Sequence, residues 1–424
     1  MVFGGVAFSN KITPIATLFL LGSGFLFFGW LFSWQVLELH ITAVFVLYAA
    51  SFVFFVAAYG SIDNVVVKDR RVDFSLAFDL FVLAVSILAV LSLFYDRFYL
   101  RGIDYFSQGM AAARSEINEG SVSGSFFSVF GNFFSYGYLI PLINTLYQWE
   151  TRSIWNRFLV ITGVSFVVLF FSFLMGGRTV LLITIVVVLS CLVGRKTTGH
   201  TALPSGIGLL KIFLLFLLVL FLFGFVFYVR ANTFLGGDSF LYVENVCTHL
   251  TSFLKEGSYS CNIGVSEGGI AEALNYLNAI GLYAFHVLWV SDSVLFFDAK
   301  EGSVLLAGIG SLVLSRFGIS LPAHDYAGFF VPAGASIVYD LGIIAVPVFF
   351  MALGLMLRLS LAFHLAGRPW AGRYGFVFLY SFCILSLIIS PANLPGLLLA
   401  GMCISLYAVM WSAVKLCLKN GARC

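Results

Sequence analysis

The chain has 424 residues, of which 61% are hydrophobic and only 10% charged, and its formal net charge is +3. A soluble globular domain carries roughly 25% charged residues, and a bigger core cannot hide the shortfall, because a water-facing surface must still be wetted. The composition therefore excludes a soluble enzyme and a basic nucleic-acid surface and makes lipid the solvent for much of the chain.

Crossing a bilayer core about 30 Å thick takes roughly 20 apolar residues, coiled as helix because hydrocarbon offers an unpaired amide no partner. The first such run is 12–34, which lacks the small-residue cleavage pattern of a signal peptide. Runs at 38–59 and 76–95 follow. Asp79, near the start of the third, is expected to reach water. The loop at about 96–125 carries Arg97, Arg101 and Arg114 and is helix-compatible from Tyr105 to Glu119. It is either a solvated amphipathic helix or part of an anion site. Spans at 126–147, 158–175 and a short one at 179–194 come next. Between the last two lies the turn Met175-Gly-Gly-Arg-Thr179. A permanent guanidinium between two apolar spans must reach water, a phosphate or a carboxylate. Arg178 is either an interfacial arginine snorkelling to headgroups or a phosphate ligand. Arg230 follows directly on the seventh span, 209–229, at the same expected depth, and two such arginines form a plausible clamp for a polyprenyl pyrophosphate.

A long loop then runs from Arg230 to about Ile337. Its stretches Tyr276–Phe297 and Val304–Leu314 are apolar, but Asp292, Asp298, Lys300 and Glu301 interrupt them. They read as amphipathic or re-entrant helices, with two further spans as the alternative. His286, within the apolar run, reads as a buried, hydrogen-bonded structural histidine. His324, beside Asp325 and shortly before the chain re-enters the membrane, is the candidate general base, since imidazole titrates near neutral pH. Asp340 is expected to begin the span 338–357 and to pair with an arginine. Spans at 375–390 and 396–416 complete the chain.

The expected fold is an all-α polytopic membrane protein with about ten transmembrane helices, or twelve if the loop also crosses. Residues 1–229 hold seven spans, 230–337 the large loop and 338–424 three spans. Fifteen of the 23 Lys and Arg residues fall on the short segments that are cytoplasmic if the N-terminus lies inside. That bias sets both termini inside and the long loop outside. Cys247 and Cys261, both in that loop, read as a disulfide in an oxidising compartment or as two free thiols. No Walker loop, HExxH or DxD-like pair occurs, so nucleotide chemistry on the inner side has no support.

The external Gly-Gly-Arg178-Thr turn, the Arg101…Arg114 loop, Tyr283-Ala-Phe-His286 and Ala335-Ser-Ile-Val-Tyr-Asp-Leu-Gly342 together resemble the Wzy-type O-antigen polymerases of bacterial inner membranes. The layout is also similar to that of the O-antigen ligases, although the spacing from His324 to Leu341-Gly342 is longer than the ligase pattern. The resemblance implies transfer of a glycan from undecaprenyl pyrophosphate to the terminal sugar of an incoming lipid-linked repeat unit. Its partners would be those lipid-linked oligosaccharides, membrane lipids and a chain-length regulator. Such a reaction needs a cation for the departing pyrophosphate and a base for the acceptor hydroxyl. Arg178 and Arg230, supported by Arg101 and Arg114, are expected to serve the first need, and His324 with Asp325 the second. Arginines standing in for a metal imply no cofactor. A ligase joining glycan to lipid A-core and a glycolipid flippase or transporter are the alternatives. A flippase would be expected to place its charges near the bilayer midplane.

Overall fold

The computed structural model describes residues 3–33, 41–61, 75–103, 125–175, 179–201, 248, 269–296, 302–307, 324–326 and 329–421. The protein is an all-α membrane bundle, and no strand occurs among the described residues. Its helices are α1 (Phe3–Ser33), α2 (Ile41–Ser61), α3 (Leu76–Tyr95), α4 (Phe126–Tyr147, tightened to a 3-10 turn at Ser135–Tyr138), α5 (Ile154–Met175) and α6 (Thr179–Thr197). After these come α7 (Gly269–Phe296), α8 (Ala333–Leu341), α9 (Ala345–Leu365), α10 (Gly375–Leu385) and α11 (Pro395–Gly421). Among the described residues eight helices are long and apolar enough to cross a membrane, and Ala284–Phe296 and Trp370–Leu385 are shorter apolar helices. The expected span 209–229 lies outside the described residues.

Hydroxyls inside these apolar helices bond to their own backbone. Ser51 donates to the Leu47 carbonyl, Ser86 to Val82 and Ser190 to Val186, at 2.7–2.9 Å, so these hydroxyls do not meet hydrocarbon unpaired. Without a hydrophobic drive between helices in lipid, association rests on close packing at small residues. Gly354 of α9 sits against the backbone of α2, where an added Cβ would overlap the Phe55 carbonyl. Gly354→Ala is expected to destabilise the bundle by about 1–3 kcal/mol through overpacking, read as a lower unfolding midpoint in micelles. Gly60→Ala, where a Cβ meets nothing within 4 Å, is the control.

The two ends of the bundle differ. One, here called upper, carries Asp96, Arg101 and Asp340; the lower carries Arg152 and Arg195. The basic-residue bias expects the upper end to face outward. α2 and α9 run side by side in the same direction, since Val346 lines a surface with Thr42 and Val46, and Arg358 lies over the Tyr59 ring.

The run expected to cross at 338–357 is two helices, not one. Gly342, at φ 82°, breaks it, a backbone conformation that glycine takes without steric cost. α8 begins at Ala333, and its second residue, Gly334, lies beside Leu47 and Ser51 of α2. Those residues are 6 and 10 positions past Ile41, or about 9–15 Å below the top of α2 at 1.5 Å per residue. Nine residues of α8 climb about 13 Å, and α9 then descends. The chain thus dips into the upper half of the bundle and returns.

Non-helical backbone at that depth survives only where its polar groups are paired. Phe330 N donates to His286 Nε2 at 3.0 Å, Ala333 N to the Ser386 carbonyl at 3.0 Å, and Ser390 N to the Val331 carbonyl at 2.6 Å. His286 is 1% exposed and is therefore the structural histidine that its apolar surroundings suggested. The partner segment is the break at 386–390, where α10 ends at Leu385, five residues short of the expected span end. α7 brings His286 to this place, wedged by the buried Val287, Leu288, Trp289 and Val290. Its apolar part, Ala284–Phe296, falls short of the 17–25 residues or so that cross a bilayer.

Candidate active site

The re-entrant turn carries polar groups on its upper side. Asp340, near the end of α8, accepts hydrogen bonds from Val304 N at 3.0 Å, Leu305 N at 2.6 Å and the Ser303 hydroxyl at 2.9 Å. A carboxylate over unpaired helix amides is a capping arrangement. Asp340 therefore neither starts a span nor waits for an arginine; it ties residues 303–305 of the long loop to α8. Asp325 accepts from the Tyr339 hydroxyl at 2.9 Å, and the Ser293 and Tyr326 hydroxyls lie 2.8 Å apart. These bonds pin residues 324–326 between α7 and α8.

His324 sits in that pinned segment, 8% exposed, and its buried Nδ1 makes no hydrogen bond among the described residues. Burial pushes the imidazole pKa below its ordinary value, against the nearby negative charges of Asp340 and Asp325. Desolvation disfavours the charged ring, so His324 is neutral at pH 7 and holds a lone pair able to accept a proton. Asp325 lies beside it but spends its bonded oxygen on Tyr339, so its part here is to fix the segment and supply charge.

The arginines expected to bind pyrophosphate divide. Arg178, Arg230 and Arg114 lie outside the described residues, as do Cys247 and Cys261. Arg101 is described, and it is engaged. α3 continues as a π-helical turn, Asp96–Leu100, in which Arg101 N donates to the Asp96 carbonyl at 3.0 Å. The i to i+5 spacing lays Arg101 back over Asp96, where their side chains form an ion pair at 2.9 Å. Asp96 also accepts from the Ser125 hydroxyl, and Arg101 reaches the Ser128 hydroxyl at 3.4 Å. Arg101 is thus a clasp between α3 and α4, its charge matched by a carboxylate that is 1% exposed. Arg97 donates to Met175 Sδ, at the end of α5, at 3.3 Å.

The lower end holds a network that hydropathy did not reveal. Asp79, expected to reach water, is wholly buried. It accepts a hydrogen bond from Asn144 at 2.6 Å and a close ion pair from Arg152. Arg152 also donates to Thr145 at 2.8 Å and to Gln148, while the Asn144 side-chain Oδ1 accepts from the Tyr374 hydroxyl at 2.7 Å. Arg195, likewise buried, pairs with Glu150 at 2.5 Å and donates to the Leu146 carbonyl. Burial is the largest influence on the Glu150 carboxyl and works to raise it, but the hydrogen bond and charge of Arg195, a backbone hydrogen bond and the charge of His200 together hold that pKa below the ordinary value. His364 Nε2 lies 3.3 Å from the Tyr147 hydroxyl and 3.2 Å from the Gly194 carbonyl. Nearly every group here is taken by a neighbour on another helix, so the network latches α3, α4, α6, α9 and α10 together. The only early sign of it was Asp79 itself, an acid inside an apolar run, since such residues are kept in membranes only with a partner.

Among the described residues no group of three or more His, Cys, Asp or Glu could hold a metal ion, and Cys191, Cys383 and Cys403 are buried free thiols. No family model, no curated protein and no solved structure matches the chain.

Proposed function

We propose that the chain is a glycosyltransferase of the bacterial inner membrane that polymerises polyprenyl-pyrophosphate-linked oligosaccharide repeat units at the outer face, in the manner of the O-antigen polymerases it resembles. The observation that carries the reading is His324: a neutral histidine whose buried Nδ1 has no hydrogen-bond partner among the described residues, held by bonded neighbours beside the membrane-embedded turn. In the reaction, the bond between the anomeric carbon of the growing glycan and its pyrophosphate oxygen breaks, and the oxygen leaves with the electron pair. A hydroxyl of the incoming unit's terminal sugar forms the new glycosidic bond and gives its proton to His324. The leaving group needs cationic stabilisation, a task that falls to Arg178 and Arg230. Arg101, already matched by Asp96, acts as scaffold in this reading. The clustering of committed charges at the two ends of the bundle favours interfacial chemistry over a transport path with charges at the midplane.

The test is reconstitution of the full chain into vesicles with a polyprenyl-pyrophosphate-linked repeat unit. A ladder of lengthened lipid-linked glycans is the expected product. Folded protein that yields no ladder overturns the proposal, and transfer to added lipid A-core would replace polymerase by ligase.

A further inference from the structure

Beneath the candidate active site lies a cavity of about 350 Å³ bounded by α1, α2, α9, α10 and the foot of α8. Leu18, Leu47, Phe52, Phe350 and Leu387 are among its walls. Three of the four hydroxyls among its walls, all but that of Ser23, are spent. Ser51 donates to the Leu47 carbonyl at 2.7 Å, Tyr48 to the Leu387 carbonyl at 3.0 Å and Ser386 to the Phe382 carbonyl at 2.8 Å. A polar ligand would find little there to bond. Phe19 and Val53, also lining it, are 54% and 61% exposed, so the cavity opens sideways through the belt of the bundle that faces hydrocarbon. Two glycines keep it open: a Cβ on Gly22 or Gly334 would make only ordinary contacts, at 3.8 Å and 3.5 Å.

The same short helix joins this cavity to His324. Gly334 at the foot of α8 lines the cavity, and Tyr339 and Asp340 at its head hold Asp325 and residues 303–305. A lipid whose headgroup reacts at the head of α8 would therefore have its chain beside the foot. The geometry points to this cavity as the seat of the polyisoprenyl chain of the lipid-linked substrate. The inference rests on the proposed polymerase reading and extends it to the part of the substrate that does not react. Burying that chain supplies binding energy remote from the sugar, so recognition of the carrier is separated from recognition of the glycan.

The test uses the full chain in vesicles with two photoactivatable probes, a diazirine-bearing polyprenyl phosphate and a diazirine-bearing diacyl phosphatidylglycerol. The polyprenyl probe is expected to label peptides spanning residues 18–26 and 47–55, and unlabelled polyprenyl phosphate, but not added phospholipid, is expected to displace it. Gly22→Phe and Gly334→Leu, which fill the cavity from opposite walls, should each abolish that labelling, with retained elution as a monodisperse species showing that they fold. Labelling that persists in both plugged variants, or that the diacyl probe matches, overturns the inference and leaves the cavity as a place for boundary lipid. Labelling needs no turnover. A glycan ladder without cavity labelling removes this inference alone, whereas selective labelling without any ladder sustains the cavity and removes the polymerase reading.

Discussion

Asp79→Ala is expected to destabilise the bundle by about 3–5 kcal/mol, the usual cost of removing one partner from a buried ion pair. The alanine leaves Arg152, 8% exposed, with a charge that Gln148 and Thr145 solvate but do not neutralise, and it strips the Asn144 amide of its acceptor. The penalty belongs to the charge left behind. The double variant Asp79→Leu with Arg152→Met is therefore expected to recover most of the loss, because a buried pair replaced by apolar side chains of similar volume is often close to neutral. Unfolding midpoints in mild detergent read both variants. A single variant with the parental midpoint would show that this latch carries no stability, and a double variant as unstable as the single would show that the pair does more than cancel itself.

Turnover should drop about 10²–10⁴-fold in His324→Ala, the range over which a positioned general base contributes, with little change in unfolding midpoint, since Nδ1 bonds nothing among the described residues. The pH dependence separates a base from a packing residue. Burial lowers the folded pKa of His324 from its ordinary 6.5, so activity should hold through neutral pH and fall only as acid reaches that lowered value. The stability effect has a fixed sign. Below pH 6.5 the unfolded chain takes up a proton that the folded chain refuses, so stability declines from there down to the folded pKa and changes no further below it. His324→Gln should remove both the acid limb of activity and this part of the stability slope. A profile with the same acid limb in the glutamine variant would assign the limb to another group.

Much of the bundle was readable from hydropathy because lipid leaves a spanning segment no other choice than an apolar helix. α2, α3, α5 and α6 begin and end within a few residues of their expected bounds. What escaped was decided by single residues or by distant partners. The run through Gly342 is apolar on both sides, so a window average sees one span where a positive φ makes two. Asp79 and Arg152 are 73 residues apart, and each looks like a water-seeking end residue until the fold brings them together. Arg101 shows the same limit in reverse. Its charge marked it as an anion ligand, but the five-residue turn of the π-helix gives it Asp96. His286 was legible because a histidine in a long apolar run must be buried and bonded, as it is, whereas the Pro- and Gly-flanked segment of His324 gives its place in the chain and not its chemistry.

The backbone bonds that seat residues 330–333 on the break at 386–390 have a consequence for biogenesis. The acceptor and donor on that break belong to the stretch between α10 and α11, which leaves the ribosome after everything it supports. The dipping segment can lock into place only once α10 and α11 have entered the bilayer, so the pocket around His324 is completed after the helices that precede them. A product cut short after α9 would insert most of its helices and still lack the floor on which its reactive histidine rests.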